Sequence, residues 1–331
     1  VNTDPVKTDS ISNDPAKSAQ QGNRPGRGGG LRGGAVLAGF LALTVPLMPL
    51  QAVLLRVSSR AARRFPNWYH RQVCRVLGVR IRVEGEIAQG RPVLLVANHT
   101  SWLDIPVLSA VAPVSFVAKR EVGNWPFVSS LARLQRSVFV DRQRRTAVGA
   151  TAGEILSRLA TGDTIVLFAE GTSSDGNRVL PFMTSLFAAV KPSAATEGAT
   201  DVPPAADAIA VQTLSLVYTH LHGIPLGRAD RPLVGWYGDM EMRRHAWELL
   251  KAGPLDVSIR IGEPVALSRF ASRKDLARQS EAEVRENVVR ILRARSPAES
   301  VQVATPAEAG LPKRPGVKRP GTTGGDGGKW V

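Results

Sequence analysis

Beyond Arg82 the chain alternates between two kinds of hydrophobic pattern, and this alternation restricts its fold more than any other feature. Short apolar, β-branched runs occur at 79–83, 93–97, 114–118, 137–140, 164–168, 209–218 and 256–261. Helical patterns fall between several of them. In "TAVGATAGEILSRLA", 146–160, Val148, Ala152, Ile155, Leu156 and Leu159 form one stripe at helical spacing. A last helix is expected over 272–295, with Leu276, Val284, Val288, Ile291 and Leu292 inward. Strands alternating with helices imply an α/β fold, here a mixed, mainly parallel sheet covered by helices. No internal repeat interrupts the pattern.

The N-terminal part obeys a different rule. Between Arg32 and Arg56 lie 23 residues without a charge, enough to cross a bilayer as a helix. Pro46 and Pro49 each remove a helix donor, so a kinked span and a re-entrant hairpin both fit. The length of the run, and the arginines that follow it, argue against a cleaved signal peptide. Eight arginines and no acid lie from Arg56 to Arg82, as expected of a segment facing anionic lipid. The competing reading is a buried amphipathic helix under a solvated basic face. The organisation expected is a disordered tail over 1–30, a membrane-associated helical segment with a basic flank over 31–75, a catalytic domain over 76–296, and a disordered basic tail over 297–331. Residues 192–208, "PSAATEGATDVPPAADA", read as a loop or insertion.

Charge narrows the partners. The net charge is +15 and the pI about 10.9, so the partner is expected to be anionic. Aromatic residues make up only 5%, without a basic-aromatic RNA-binding signature, which favours a membrane surface over nucleic acid. The single cysteine, Cys74, excludes an internal disulfide framework.

Two of the strands end in polar turns. "VLLVANHTSWLDIPVL", 93–108, passes from a strand through Asn98-His99 into a second apolar run. Ser101 suits a helix N-cap, with Asp104 three residues on as in a capping box. That reading leaves His99 unexplained, at the carboxyl end of a strand where open α/β sheets place their ligands. On a continuous helix His99 and Asp104 would diverge by about 140°. With His99 in the turn and Asp104 in the first helical turn they can meet. The carboxylate then accepts from one ring nitrogen and leaves the other as a base. A second buried strand, in "TIVLFAEGTSSDGNRVLPF", 164–182, ends in Glu170-Gly171-Thr172. Gly171 and Gly176 permit tight turns whose N–H groups can gather round an anion.

Other signals are weaker. "GTSSDGNR", 171–178, nearly fits a P-loop, but Asn177 stands at the lysine position. There is no G-x-S-x-G elbow. His220 and His222 have neither a cysteine nor an acid nearby in sequence, so no metal site is expected. Trp236 and Tyr237 suit either a membrane interface or the core.

The polar turns and their surroundings resemble the glycerolipid acyltransferases, the family containing 1-acylglycerol-3-phosphate acyltransferases. "NHTSWLD" is similar to its His-x4-Asp motif, and "AKREVGNWPFVSSLARLQRSVFVDR", 118–142, to its second block, which ends in an arginine, here Arg142. "FAEGTSSDG" resembles its Glu-Gly-Thr block, and "AVQTLSLVYTHLHGIP", 210–225, its apolar fourth block. Order and spacing match over roughly residues 75–265. The resemblance implies transfer of a fatty acyl group from a thioester, on acyl carrier protein or coenzyme A, to a lyso-lipid hydroxyl. His99 would take the hydroxyl proton and Asp104 would orient its imidazole. Glu170, Gly171 and Thr172 would shape the acceptor pocket, and Arg142 would hold an anionic part of a substrate. No bound cofactor is required. The implied location is a bacterial inner membrane, with the site on its cytoplasmic face.

Departures from the family pattern carry information. Ser173 stands where the third block has an arginine, Ala169 where it has a proline, Ser130 where the second has glycine, and Thr213 where the fourth has proline. Losing that arginine removes a bidentate phosphate ligand. "FAEGTSSDGNRVLPF", "VYTHLHGIPLGR" and "WYGDM" resemble a branch that acylates lyso-ornithine lipid, which lacks a phosphate. That acceptor is therefore expected, ahead of a 1-acylglycerol-3-phosphate. A reading of another class is a non-catalytic basic protein bound to anionic lipid.

Overall fold

The computed structural model describes residues 27–119, 123, 125, 127–140, 145–189, 208–294 and 329–330. The expected loop over 192–207, Arg142 and most of both tails lie outside these residues.

The uncharged stretch forms one uninterrupted helix, α1 (Arg27–Val57), which contains both Pro46 and Pro49. Neither a hairpin nor a break occurs there. Residues Gly29–Val57 are long and apolar enough to span a membrane, yet only 11% of the most apolar window is buried. A core helix of a water-soluble domain would be mostly covered. Leu37, Leu41, Val45 and Val53 are exposed along it. Its inner face is tied down by polar side chains. Thr44 Oγ1 lies 2.8 Å from Tyr69 Oη, and Gln51 Nε2 donates to the carbonyls of Ala62 and Leu134.

Helix α2 (Ser59–Leu77) follows almost at once. Ser58 caps it by accepting from Ala61 N, and Gly78 ends it at φ 74, in the left-handed region that glycine enters without strain. Strand β1 (Val79–Glu84) then enters the sheet.

The remaining elements are β2 (Val93–Ala97), α3 (Asp104–Val111), β3 (Ser115–Lys119), α4 (Val128–Leu134), β4 (Val138–Val140), α5 (Arg145–Ala160) and β5 (Thr164–Phe168). After them come β6 (Ala210–Leu221), β7 (Ile224–Pro225), α6 (Met242–Ala252), β8 (Leu255–Ile261), β9 (Val265–Ala266), α7 (Arg273–Arg293) and β10 (Lys329–Trp330). The sheet runs β10-β1-β8-β6-β2-β5-β3-β4, with β7 and β9 also paired to β6. Strands β6, β2, β5, β3 and β4 are mutually parallel, and β1 is parallel to β8. The β6–β8 pairing is antiparallel, so the sheet is mixed and mainly parallel, as expected.

Two cores lie on opposite faces of this sheet. Val93, Leu95 and Ala97 of β2 pack with Val107, Leu108, Phe116 and Leu216. Leu94 and Val96 point the other way, among Leu159, Ile165, Leu276 and Val288. Period-two alternation with both faces covered explains why "VLLVA" has no polar position.

Two boundaries differ from expectation. Strand β6 continues three residues past 218, because it stays paired with β8 there and then turns back to pair with β7 through His222 (φ 54) and Gly223 (φ 77). Within the segment expected to be a disordered tail, Lys329 and Trp330 pair antiparallel with Val83 and Arg82 of β1, capping that edge.

Candidate active site

The polar turn after β2 is built by backbone continuity and one distant anchor. Asn98 prolongs the sheet with its side chain: Nδ2 donates to Leu216 O at 2.9 Å, and Oδ1 accepts from Leu216 N at 2.8 Å. A residue on β6 is thereby paired by an amide that mimics a peptide group. His99 follows, and the chain turns into α3.

His99 Nδ1 and Asp104 Oδ2 are 2.8 Å apart. Because the carboxylate only accepts, Nδ1 carries the proton and Nε2 keeps its lone pair. Nε2 makes no hydrogen bond among the described residues, and the imidazole retains 18% exposure while Asp104 has none. The same Oδ2 accepts from the backbone N–H groups of Thr100 and Ser101, at 2.8 and 3.1 Å. Oδ1 accepts from Tyr218 Oη at 2.7 Å. Four donors therefore surround a fully buried carboxylate, which is what makes a charge tolerable there. Burial and the neighbouring Asp104 charge push the Tyr218 hydroxyl well above its ordinary pKa, so it remains a donor.

The expected capping box is half present. Helix α3 starts at Asp104 itself, its flanking residue Leu103 makes no side-chain cap, and Ser101 Oγ is buried without a partner. The reaching-back carboxylate of the motif is used; the serine hydroxyl is not.

Phe168, the last residue of β5, lies against the imidazole with ring centroids 4.0 Å apart and planes at 19°. The adjoining turn straps the two loops together. Glu170 Oε1 accepts from His99 N at 3.0 Å and Oε2 from Leu180 N at 3.2 Å. Burial raises the Glu170 carboxyl from its usual range to about 8, against the lowering effect of those two bonds. Ser174 N donates to His99 O at 2.9 Å, and Trp236 N to Thr100 O at 2.9 Å. Ser173, at the position of the family's arginine, donates from Oγ to Trp236 O. Gly171 (φ 71) and Gly176 (φ 74) occupy left-handed backbone in this turn, and a Cβ on Gly176 would meet Thr100 Cγ2 at 3.1 Å. Thr172 is exposed.

Thus His99, Asp104 and Glu170 converge, with Gly171 buried in the adjoining turn and Thr172 exposed after it. Asn98, Phe168, Ser174 and Tyr218 complete the arrangement and were not singled out from the sequence. Trp236 is half-buried: its backbone holds the turn, its Nε1 donates to Met240 O, and its ring meets Trp125 edge-on at 5.8 Å. His220 Nδ1 contacts Thr219 Oγ1. Among the described residues no group of three or more His, Cys, Asp or Glu side chains could hold a metal ion.

A mixed sheet bearing a carboxylate-held histidine at the end of β2 defines a class of protein, and comparison with known proteins agrees. The crystal structure of the 1-acyl-sn-glycerophosphate acyltransferase PlsC from Thermotoga maritima shares the fold, with a TM-score of 0.56 over 81% of this chain and 95% of that one, at 24% identity. The acyltransferase family profile matches residues 80–207. A lyso-ornithine lipid O-acyltransferase from Brucella abortus is 48% identical over 250 residues, covering 76% of this chain and 91% of the relative. One of the same name from Rhizobium meliloti is 42% identical over 281 residues, covering 84% and 94%. A 1-acyl-sn-glycerol-3-phosphate acyltransferase from Neisseria meningitidis matches over 117 residues, at 35% identity and 46% of its length. The chain belongs to the glycerolipid acyltransferase family and is an enzyme of acyl transfer.

Proposed function

We propose that the enzyme transfers a fatty acyl group from an acyl thioester to the hydroxyl of lyso-ornithine lipid, forming ornithine lipid. The donor is acyl carrier protein or coenzyme A. The observation that carries the chemistry is the 2.8 Å contact between His99 Nδ1 and a buried Asp104 carboxylate. Nε2 removes the acceptor's hydroxyl proton as the oxygen attacks the thioester carbonyl. The tetrahedral intermediate then expels the thiolate, which leaves as a thiol with the proton held by the imidazolium. The carboxylate fixes the tautomer and favours the imidazolium as it forms. No acyl-enzyme is required, so no serine or cysteine need be a nucleophile. Glu170 holds the His99 backbone; Gly171 and Thr172 border the acceptor; Arg142 binds an anionic part of a substrate.

Support for the acceptor comes from matches over 91% and 94% of the lyso-ornithine lipid enzymes, against 46% of the glycerol-phosphate enzyme. Ser173, committed to Trp236 O, offers no phosphate ligand in place of arginine. The exposed apolar α1 and the arginines after it support a place on the cytoplasmic face of a bacterial inner membrane.

The test is acyl transfer in detergent micelles by wild type and His99→Ala, with lyso-ornithine lipid and a 1-acylglycerol-3-phosphate offered side by side. The expected result is faster use of lyso-ornithine lipid and a loss of roughly 10²–10⁴-fold on removing the imidazole. Equal or reversed acceptor rates would overturn the acceptor; retained activity in His99→Ala would overturn the base.

A further inference from the structure

A cavity of about 360 Å³ lies away from His99, and the acyl-transfer chemistry does not use it. It is lined where the chain enters strands: Pro113–Ser115 at the start of β3, Gln135 and Arg136 before β4, and Gly162–Thr164 at the start of β5. His99 follows the opposite ends. Since β2 and β5 pair in register over five residues, about 16 Å of strand separates the two edges.

The cavity wall is basic. Arg60, Arg63 and Arg64 come from the first turns of α2 and share one helix face by their spacing; Arg136 comes from the other side. The one carboxylate in the lining, Asp163, is buried and shared. It lies 3.1 Å from Arg63 Nε as an ion pair and accepts from Arg136 Nη2 at 2.7 Å, which brings both guanidinium groups to one carboxylate. Arg60 and Arg64 form no ion pair among the described residues. Four cations against one anion leave three positive charges around a space large enough for a small ligand. Arg136 is held there against its backbone preference, at φ 62, with its carbonyl accepting from Arg158 Nη1.

The lining reaches Ser59, exposed where α1 ends and α2 begins. Val57 is 70% exposed there, and Trp68, one helical turn beyond Arg64, is 48% exposed. Guanidinium forks recognise phosphate oxygens in pairs. An exposed apolar helix end just before Ser59 and an exposed indole one turn beyond Arg64 suit acyl chains attached to that phosphate. We propose that this cavity binds the phosphodiester headgroup of an anionic glycerophospholipid through Arg60, Arg63, Arg64 and Arg136, as a lipid site separate from the acyl-transfer site. The enzyme is thereby seated by a lipid it does not acylate. The assignment rests on the membrane location proposed above, but not on the identity of the acceptor.

The experiment uses the full chain purified in a neutral detergent, with bound lipid counted by native mass spectrometry. Phosphatidylglycerol, phosphatidylcholine and inorganic phosphate are the probes. Wild type should retain phosphatidylglycerol at least tenfold better than phosphatidylcholine, and equimolar inorganic phosphate should not displace it. Arg60→Gln/Arg64→Gln, which breaks no ion pair, should weaken retention about tenfold. Arg136→Lys, which keeps the charge but loses the fork, should weaken it as well. Arg243→Gln/Arg244→Gln removes two exposed charges from α6 and should change nothing. Equal retention of the two lipids, displacement by inorganic phosphate, or equal loss in both double variants would overturn the proposal. Acyl transfer measured on the same samples reports folding of the variants. Failure of wild type to acylate lyso-ornithine lipid would count against the acceptor alone, and leave the lipid-retention result standing.

Discussion

Tyr218 Oη sits 2.7 Å from Asp104 Oδ1, 114 residues earlier in the chain. The other oxygen of the same carboxylate takes His99 Nδ1 and two backbone N–H groups. The residue that aims the imidazole is therefore itself aimed, from the far half of β6. Removing the hydroxyl in Tyr218→Phe deletes one hydrogen bond to a buried charge, worth about 1.5–3 kcal/mol. The carboxylate then concentrates more of its charge on His99 and stabilises the imidazolium. The acidic limb of the kcat/KM profile should move to higher pH in Tyr218→Phe. A profile identical to wild type, with activity merely scaled down, would mean the tyrosine only packs.

Asp104→Asn presents an NH2 group to a site that holds only donors. At least one of the four bonds becomes a clash, and His99 loses the acceptor that fixes its tautomer. We expect kcat to fall roughly 100-fold or more, within the range set by losing an effective base, together with a lower Tm in thermal unfolding. Turnover near that of wild type would show that the imidazole needs no carboxylate.

Glu170 gives a pH dependence of stability whose sign is fixed. Its carboxyl ionises near 4.5 when unfolded and is raised to about 8 in the fold, so folding favours the protonated form. The associated stability is fully present below about pH 4.5 and is lost as pH rises through 8, at up to about 1.4 kcal/mol per pH unit in that window. Glu170→Gln cannot ionise. Urea unfolding between pH 5 and pH 9 should find the variant weaker at pH 5, where its amide must face a backbone donor, and its deficit should shrink toward pH 9. A deficit that grows with pH would reverse the assignment.

Asn98→Leu removes both amide bonds to Leu216 and leaves a buried N–H and C=O unpaired. A cost of about 2–4 kcal/mol is expected from two unsatisfied backbone groups. Asn98→Asp restores the acceptor alone and should recover part of the loss. Equal stability for all three chains in denaturant titration would remove Asn98 from the design of the turn.

The sheet was legible because strands covered on both faces leave few polar gaps: "VLLVA" has none, and "TIVLF" only its first residue. The approach of His99 to Asp104 was legible because only one local geometry, turn followed by first helical turn, brings positions five apart together. The role of Ser101 was misread for a physical reason. A serine three residues before an acid can cap the helix or be capped by it, and the letters are the same. Tyr218 and Phe168 could not be read at all, since each reaches the site through strand pairing with distant partners. In α1, two prolines left both a kinked span and a re-entrant hairpin open. A proline removes one hydrogen bond without forcing the chain to reverse, and the contacts of Thr44 and Gln51 hold the helix on course.

Phe168 lying flat on His99 covers one face of the imidazole. A planar inhibitor can stack on the other face at most, and an alkylating reagent must approach Nε2 clear of the phenyl ring. Shape, more than basicity, will decide which histidine-directed compounds react, and the deciding wall is a phenylalanine that the sequence spells as one more apolar letter at the end of a strand.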